Sequence, residues 1–198
     1  GQLGCYFIQI STDHYYDDNR KAHSEEDSCV LLNEYAKTKY QAEHEVLAHG
    51  DNVLVARTNI IGFRRNDTPS FFEWLVAALK NQENIVLFDD FVTSPISTKM
   101  LGDILIECFQ KQLIGIYNIS SKDSVSKYDF GRKVADAFSF SSEKISKGSI
   151  DDMKSDNLKR AKSLGLCVKK IEAALDKSMP SEDVVIDRLL SEYKEILS

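Results

Sequence analysis

Apolar and polar positions along the chain alternate between two periods. "CYFIQIS" (residues 5–11) and "NVLVART" (52–58) are short, β-rich, nearly continuous apolar runs, the pattern of strands buried on both faces of a parallel sheet. Between them Leu32, Tyr35, Ala36, Lys39, Ala42, Val46 and Leu47 recur at helical spacing over residues 32–49. Strand, loop, helix, strand is a βαβ crossover. "TPSFFEWLVAALKNQ" predicts a helix over 69–81, with Thr68 as cap and Pro69 at the first helical position. "IVLF" reads as a strand, 97–111 as a helix and "GIYNIS" as another strand. Ser126, three residues before Asp129, opens a helix that runs to Phe138. Residues 140–153 read as a loop, and the tail carries helical patterns near 155–164, 168–177 and 182–197, the last capped by Ser181. The sum is an α/β fold whose buried-type strands begin almost at once, with no G-x-G-x-x-G turn anywhere in the chain.

Composition narrows the function. With 198 residues, 42% hydrophobic and 28% charged, the chain can bury a core as one domain or as a large piece of a two-lobed protein. A net charge of −6 with scattered basic residues argues against nucleic-acid binding, which needs clustered lysine and arginine. Apolar runs such as "WLVAAL" fall short of the roughly 20 residues of a membrane span. No basic flank with a long apolar region opens the sequence, and the cysteine usage reads as that of a cytosolic protein. Cys5, Cys29, Cys108 and Cys167 show no C-x-x-C spacing; Cys5 and Cys108 lie in apolar runs and read as buried reduced thiols. "HEVLAH" sets His44 and His49 five apart, about 140° around a helix, where a zinc pair needs four residues. They read as exposed helix histidines, and no metal is expected.

The candidate chemistry lies in "NEYAKTKYQAE" (33–43). Tyr35 and Lys39 are four apart and share a helix face. An ammonium beside a phenol favours the phenolate and draws it toward the range of a working general acid or base. The spacing alone is weak, because eight tyrosines in a lysine-rich chain give roughly 0.7 such pairs by chance. Thr12 strengthens it: it follows a strand, where ligands bind in open α/β sheets, and its hydroxyl suits a carbonyl oxygen. Asp13 reads first as a stabiliser of that loop. Arg57, at a strand end, is placed to pair with an interior carboxylate. Phe71 and Trp74 read as core or as a cover for a sugar or base face. Arg64 and Arg65 read as a solvated loop or as diphosphate contacts.

Five segments together are more specific: "ISTDHYYDD" (10–18), "NEYAKTKYQAE" (33–43), "VARTNIIG" (55–62), "SPIS" (94–97) and "GIYNISSKDSVSKYDFG" (115–131). In these the chain resembles the extended short-chain dehydrogenase/reductase family, and within it the dTDP-4-dehydrorhamnose reductases, over most of residues 3–138. The resemblance implies a doubly wound Rossmann-type parallel sheet with a small substrate-binding lobe. Residues 1–60 and 97–119 would belong to the dinucleotide-binding domain and 61–96 and 120–198 to the substrate lobe. It implies Thr12, Tyr35 and Lys39 as catalytic residues in the NADPH-dependent reduction of a nucleotide-linked 4-keto-deoxyhexose, on a pathway to cell-surface polysaccharide. Ser11, Tyr35, Lys39, Thr58, Asn59 and Ile60 would line the cofactor, and Asp13, His14, Arg64, Phe71 and Trp74 the substrate. NADP(H) is the expected cofactor of the complete protein, with NAD an alternative, and a homodimer is expected. Three features depart from the family pattern. The glycine-rich turn and first strands are missing, as in a C-terminal two-thirds that would bind cofactor poorly by itself. Ala36 replaces the usual glycine, and the Arg-Pro pair of the C-terminal substrate loop is absent. The rivals are an NAD-dependent epimerase or dehydratase, and a non-catalytic regulatory subunit resembling the methionine adenosyltransferase β-subunit.

Overall fold

The computed structural model describes residues 4–16, 22–64, 68–152 and 161–197. In chain order the elements begin β1 (Phe7–Ile10), α1 (Glu34–His49), β2 (Val53–Arg57), β3 (Asn59–Ile61), α2 (Phe71–Lys80), β4 (Ile85–Phe88), β5 (Val92–Thr93) and β6 (Pro95–Ser97). They continue α3 (Thr98–Gln110), β7 (Gly115–Asn118), β8 (Val125–Ser126), α4 (Lys127–Ala137), β9 (Ile145–Gly148), a 3-10 turn (Ile150–Asp152), α5 (Lys169–Leu175) and α6 (Glu182–Leu197).

The crossover read from the sequence is present. β1 and β2 are parallel, with Phe7 opposite Val53 and Ile10 opposite Ala56, and β7 pairs with the other edge of β2, Leu54 opposite Gly115. All five residues of β2 are buried, which is why its sequence shows no alternation. β3 and β6 extend the parallel theme as a separate pair. This is the parallel α/β architecture expected of a Rossmann-type sheet. Its loops after β1 and β2 emerge side by side.

Several local expectations shift. The cap of α2 is Ser70, not Thr68: its hydroxyl accepts from the Glu73 N–H at 3.1 Å, and the Glu73 carboxylate accepts from the Ser70 N–H at 2.7 Å. This reciprocal box satisfies two otherwise orphaned donors and moves the helix start past Pro69. Residues 145–148, expected as loop, form β9, parallel to β4 with Ile85 opposite Ile145. Only Ile145 of β9 is buried, so "ISKG" has no apolar period of its own and its pairing is a tertiary effect. The helix expected near 155–164 falls largely outside the described residues. Its end is extended, with Ser163 bridging Val92 and the Leu164 N–H donating to the Val92 carbonyl at 2.9 Å.

Two cores result. Leu54 and Ala56 of β2, Ile96 of β6, Ile104 and Cys108 of α3 and Ile171 of α5 form one. Phe72 and Leu75 of α2, Leu87 of β4, Phe130 and Val134 of α4, and Val185 and Leu189 of α6 form the other. α5 therefore packs on the three-stranded sheet, although it lies in the 120–198 segment. Cys108 is buried but Cys5 is exposed, contrary to expectation, because it precedes the ladder that starts at Phe7. Among the described residues no disulfide forms, and no helix is long and apolar enough to cross a membrane.

Candidate active site

The carboxyl end of β1 delivers Ser11, Thr12 and Asp13, all buried, because the Ser11 N–H continues the ladder to the Ala56 carbonyl at 2.8 Å. The chain then turns: the His14 N–H donates to the Thr12 hydroxyl at 3.3 Å. α1 is capped by Asn33, whose side chain accepts from the Ala36 N–H at 2.9 Å. That cap places Tyr35 in the first turn, 52% exposed, and Lys39 one turn later. Lys39 Nζ donates to the Ile10 carbonyl at 3.2 Å, tying the helix to the strand end while leaving two of its three donors available. The His14 ring meets the Tyr35 ring edge-on, with centroids 5.6 Å apart. His14 thus links Thr12 to Tyr35.

Asp13 is held by Asn59, whose Nδ2 donates to its carboxylate at 2.7 Å, with His14 Nε2 at 3.8 Å. Burial pushes the Asp13 carboxyl above its ordinary range, against the pull of His14, Asn59 and Lys127. Thr58 is buried and, among the described residues, its hydroxyl has no hydrogen-bond partner. Asn59, Ile60, Gly62, Arg64, Phe71 and Lys127 wall a cavity of about 390 Å³. Gly62 holds φ at +152°, and a Cβ there would lie 3.1 Å from Thr98 Oγ1, so the turn that shapes this wall suits glycine. A second cavity, about 370 Å³, is lined by Phe71, Trp74, Phe88, Phe91 and Lys127. Arg64 faces the first cavity; its N–H donates to Glu73 at 3.1 Å. Arg65 lies outside the described residues.

Behind this surface lies a sealed ion pair. Arg57 Nη2 donates to Glu43 Oε2 at 2.8 Å, with side chains 3% and 2% exposed, and Arg57 Nε reaches both carboxylate oxygens at 3.2 Å. The Ser11 hydroxyl donates to Glu43 at 2.5 Å and lies 2.8 Å from the Tyr15 hydroxyl. Arg57 Nη1 donates to the Tyr16 hydroxyl at 3.0 Å. Burial drives the guanidinium pKa down, but the Glu43 hydrogen bonds and neighbouring groups outweigh it and hold Arg57 charged. Burial raises the Tyr16 hydroxyl to about 12. The interior carboxylate anticipated for Arg57 is therefore Glu43. The signal for Glu43 was its place four residues after Lys39, on the Tyr35 face. Ser11, expected at the cofactor, spends its hydroxyl on this network.

The structure brings Thr12, Asp13, His14, Tyr35, Lys39 and Asn59 together at one strand end. Trp74 lies apart from them, on the second cavity, and Ile60 is 48% exposed on the rim. Lys127 was not anticipated. Its signal was a lysine opening a helix, where an acidic residue is favoured.

A parallel α/β sheet with hydroxyl, phenol and ammonium groups gathered at its carboxyl edge is a Rossmann-type fold. The chain belongs to the RmlD substrate binding domain family, which it matches over residues 1–195. It is 25% identical over 194 residues to the probable low-salt glycan biosynthesis reductase Agl14 of Haloferax volcanii, covering 94% of this chain and 64% of that protein. Identity to the methionine adenosyltransferase 2 subunit beta of Danio rerio is 25% over 154 residues, covering 72% of this chain and 46% of that one. The crystal structure of the dTDP-4-dehydrorhamnose reductase of Bacillus anthracis in complex with NADP superposes with a TM-score of 0.87 at 21% identity, over 96% of this chain and 67% of that one. The chain thus spans less than two thirds of the curated relatives it matches. The likeness to extended short-chain dehydrogenase/reductases drawn from the motifs holds at the level of family and fold.

Proposed function

We propose that the complete protein reduces a nucleotide-linked 4-keto-deoxyhexose with NADPH, in the cytoplasm and as a homodimer. Residues 61–96 and 120–198 supply most of the substrate lobe and the rest completes the dinucleotide domain. The observation that carries this reading is the meeting of Thr12, Tyr35 and Lys39 at the carboxyl end of β1, next to a cavity whose wall residue Asn59 is bonded to Asp13.

In this reading the Tyr35 hydroxyl donates a proton to the ketone oxygen while the Thr12 hydroxyl hydrogen-bonds the same oxygen. The Lys39 ammonium favours the phenolate left behind. Its position is set by the Ile10 carbonyl, so its charge is pre-oriented. Asp13 and Asn59 hold the loop that carries Thr12, and Phe71 and Arg64 shape the space for the sugar. The residues present suit a nicotinamide cofactor at its reactive end: Thr58 offers an unpartnered hydroxyl, and Tyr35 and Lys39 have donors free for a ribose. When bound, the dinucleotide supplies the hydride.

Tyr35→Phe in the full-length protein is expected to lower keto-sugar turnover by about two orders of magnitude or more with NADPH binding kept. Unchanged turnover overturns the assignment. Net NADPH consumption separates reduction from an epimerase or dehydratase that recycles NAD. A second reading, a non-catalytic regulatory subunit, is favoured by the adenosyltransferase relative. A stable heteromeric partner, together with no turnover of any keto-sugar by the complete protein, would establish it instead.

A further inference from the structure

Lys127 sits at the seam between the two cavities and lines both. Its place is fixed from several sides. It is the first residue of α4, after the N-cap Ser126, whose hydroxyl accepts from the Asp129 N–H at 3.0 Å. Its own N–H donates to the Phe91 carbonyl at 3.1 Å, and β5 pairs with β8 immediately before it. Local preference opposes a lysine here, because the exposed N–H groups of a helix start repel a cation. Its Nζ lies 4.6 Å from the Phe71 ring centroid and 5.8 Å from that of Phe91, which replaces part of its water with aromatic faces. Among the described residues that nitrogen makes no hydrogen bond and no ion pair. Asp13 attracts it electrostatically but is buried and itself bonded to Asn59. The result is an ammonium with three donors and no acceptor, with Asn59, Arg64, Ser70 and Thr98 among the mixed walls on one side and the rings of Trp74, Phe88 and Phe91 on the other.

We infer that Lys127 is a specificity-determining residue that binds an anionic oxygen group of the ligand, phosphate or carboxylate, at the seam between the cavities. The polar part of such a ligand fills the first cavity and its flat part lies against Trp74, Phe88 and Phe91 of the second. This rests on the nucleotide-sugar reading above and adds which part of the substrate the seam grips. Burial pushes the Lys127 ammonium down to about 8, a cost that an anion at the seam would reverse.

The test is calorimetric titration of the full-length protein, as wild type, Lys127→Met and Lys127→Arg, with four probes: thymidine, thymidine 5′-diphosphate, UDP-glucose and UDP-glucuronate. Lys127→Met is expected to lose about tenfold or more in affinity for an anionic probe, with Lys127→Arg retaining most of it. Loss on the diphosphate with thymidine unchanged assigns the contact to phosphate. A wild-type preference for UDP-glucuronate over UDP-glucose that Lys127→Met abolishes assigns it to a carboxylate. Equal affinities of wild type and Lys127→Met for every probe that wild type binds overturn the inference and leave the reductase reading standing. A folded wild type that binds none of the four overturns both.

Discussion

Two charge pairs converge on the same strand ends and are built on opposite terms. Arg57 and Glu43 are sealed from water and touch through several hydrogen bonds, with Ser11 and Tyr16 taking up remaining capacity. Asp13 and Lys127 feel each other electrostatically from separate elements, with no hydrogen bond or ion pair between them among the described residues; Asp13 is buried, and Lys127 lines both cavities. The first pair joins α1 to β2 behind the reactive groups and holds them in register. The second leaves the Lys127 ammonium without an acceptor among the described residues, and that difference distinguishes a scaffold pair from the seam proposed to grip a ligand. A buried charge that is fully partnered has nothing left to offer a ligand, whereas a desolvated ammonium without an acceptor does.

The sharpest way to break this comparison is to strand one partner of the sealed pair. Arg57→Met leaves the Glu43 carboxylate buried without its cation, and the expected loss is about 3–5 kcal/mol in equilibrium urea denaturation of the full-length protein. Adding Glu43→Leu to the same variant should recover most of that loss, since an apolar replacement of both partners is often neutral. A single variant that loses under about 1 kcal/mol would mean that water reaches the pair and that the contrast with Lys127 is one of degree.

How much of this was legible beforehand follows the same division. The βαβ core was readable because its strands are buried on both faces and α1 carries its polar markers at helical spacing, so Tyr35, Lys39 and Arg57 stood out locally. Glu43 was visible as a letter in the motif but not as the partner of Arg57, since that pairing spans two elements. β9 was missed because Ile145 is its sole buried residue and its partner lies some sixty residues earlier. Lys127 was hidden for a related reason: one lysine at a helix start reads as a solvated charge until Phe71 and Phe91 are brought around it.

A smaller effect sharpens the second half of the contrast. The Lys127 ammonium titrates near 8 in the folded protein and near its ordinary value of about 10.4 when unfolded. Below pH 8 both states are protonated, and the cost of burying the charge is fully present. Between about pH 8 and 10 the unfolded chain binds more protons, so stability rises with pH. Lys127→Met removes this cost. The variant should therefore be more stable than wild type at pH 7, on the order of 1–2 kcal/mol after discounting for partial exposure, and most of the gap should close by pH 10. Asp13 is the carboxylate facing Lys127, and the other groups that titrate in this range do so in both proteins. Denaturation midpoints of the two proteins at pH 7, 8.5 and 10 measure the gap; a constant gap would mean that the ammonium is solvated and the seam open to water.

The smallest expected change concerns the helix that presents Phe71 beneath Lys127. Ser70 bonds the Glu73 N–H and also donates to the Gly62 carbonyl at 2.7 Å, so one hydroxyl fastens the α2 start to the turn that walls the first cavity. Ser70→Ala should cost about 1 kcal/mol, and Ser70→Gly only a few tenths, because an uncapped glycine lets water reach the helix end. Global denaturation would barely separate these two, but amide hydrogen exchange at Phe72 and Glu73 reads the local opening directly. Faster exchange confined to those amides, with Val55 and Ala56 of β2 unaffected, would show that the site-facing helix start opens independently of the sealed pair. Faster exchange in β2 as well would mean that the two regions yield together, and that scaffold and site share one cooperative unit.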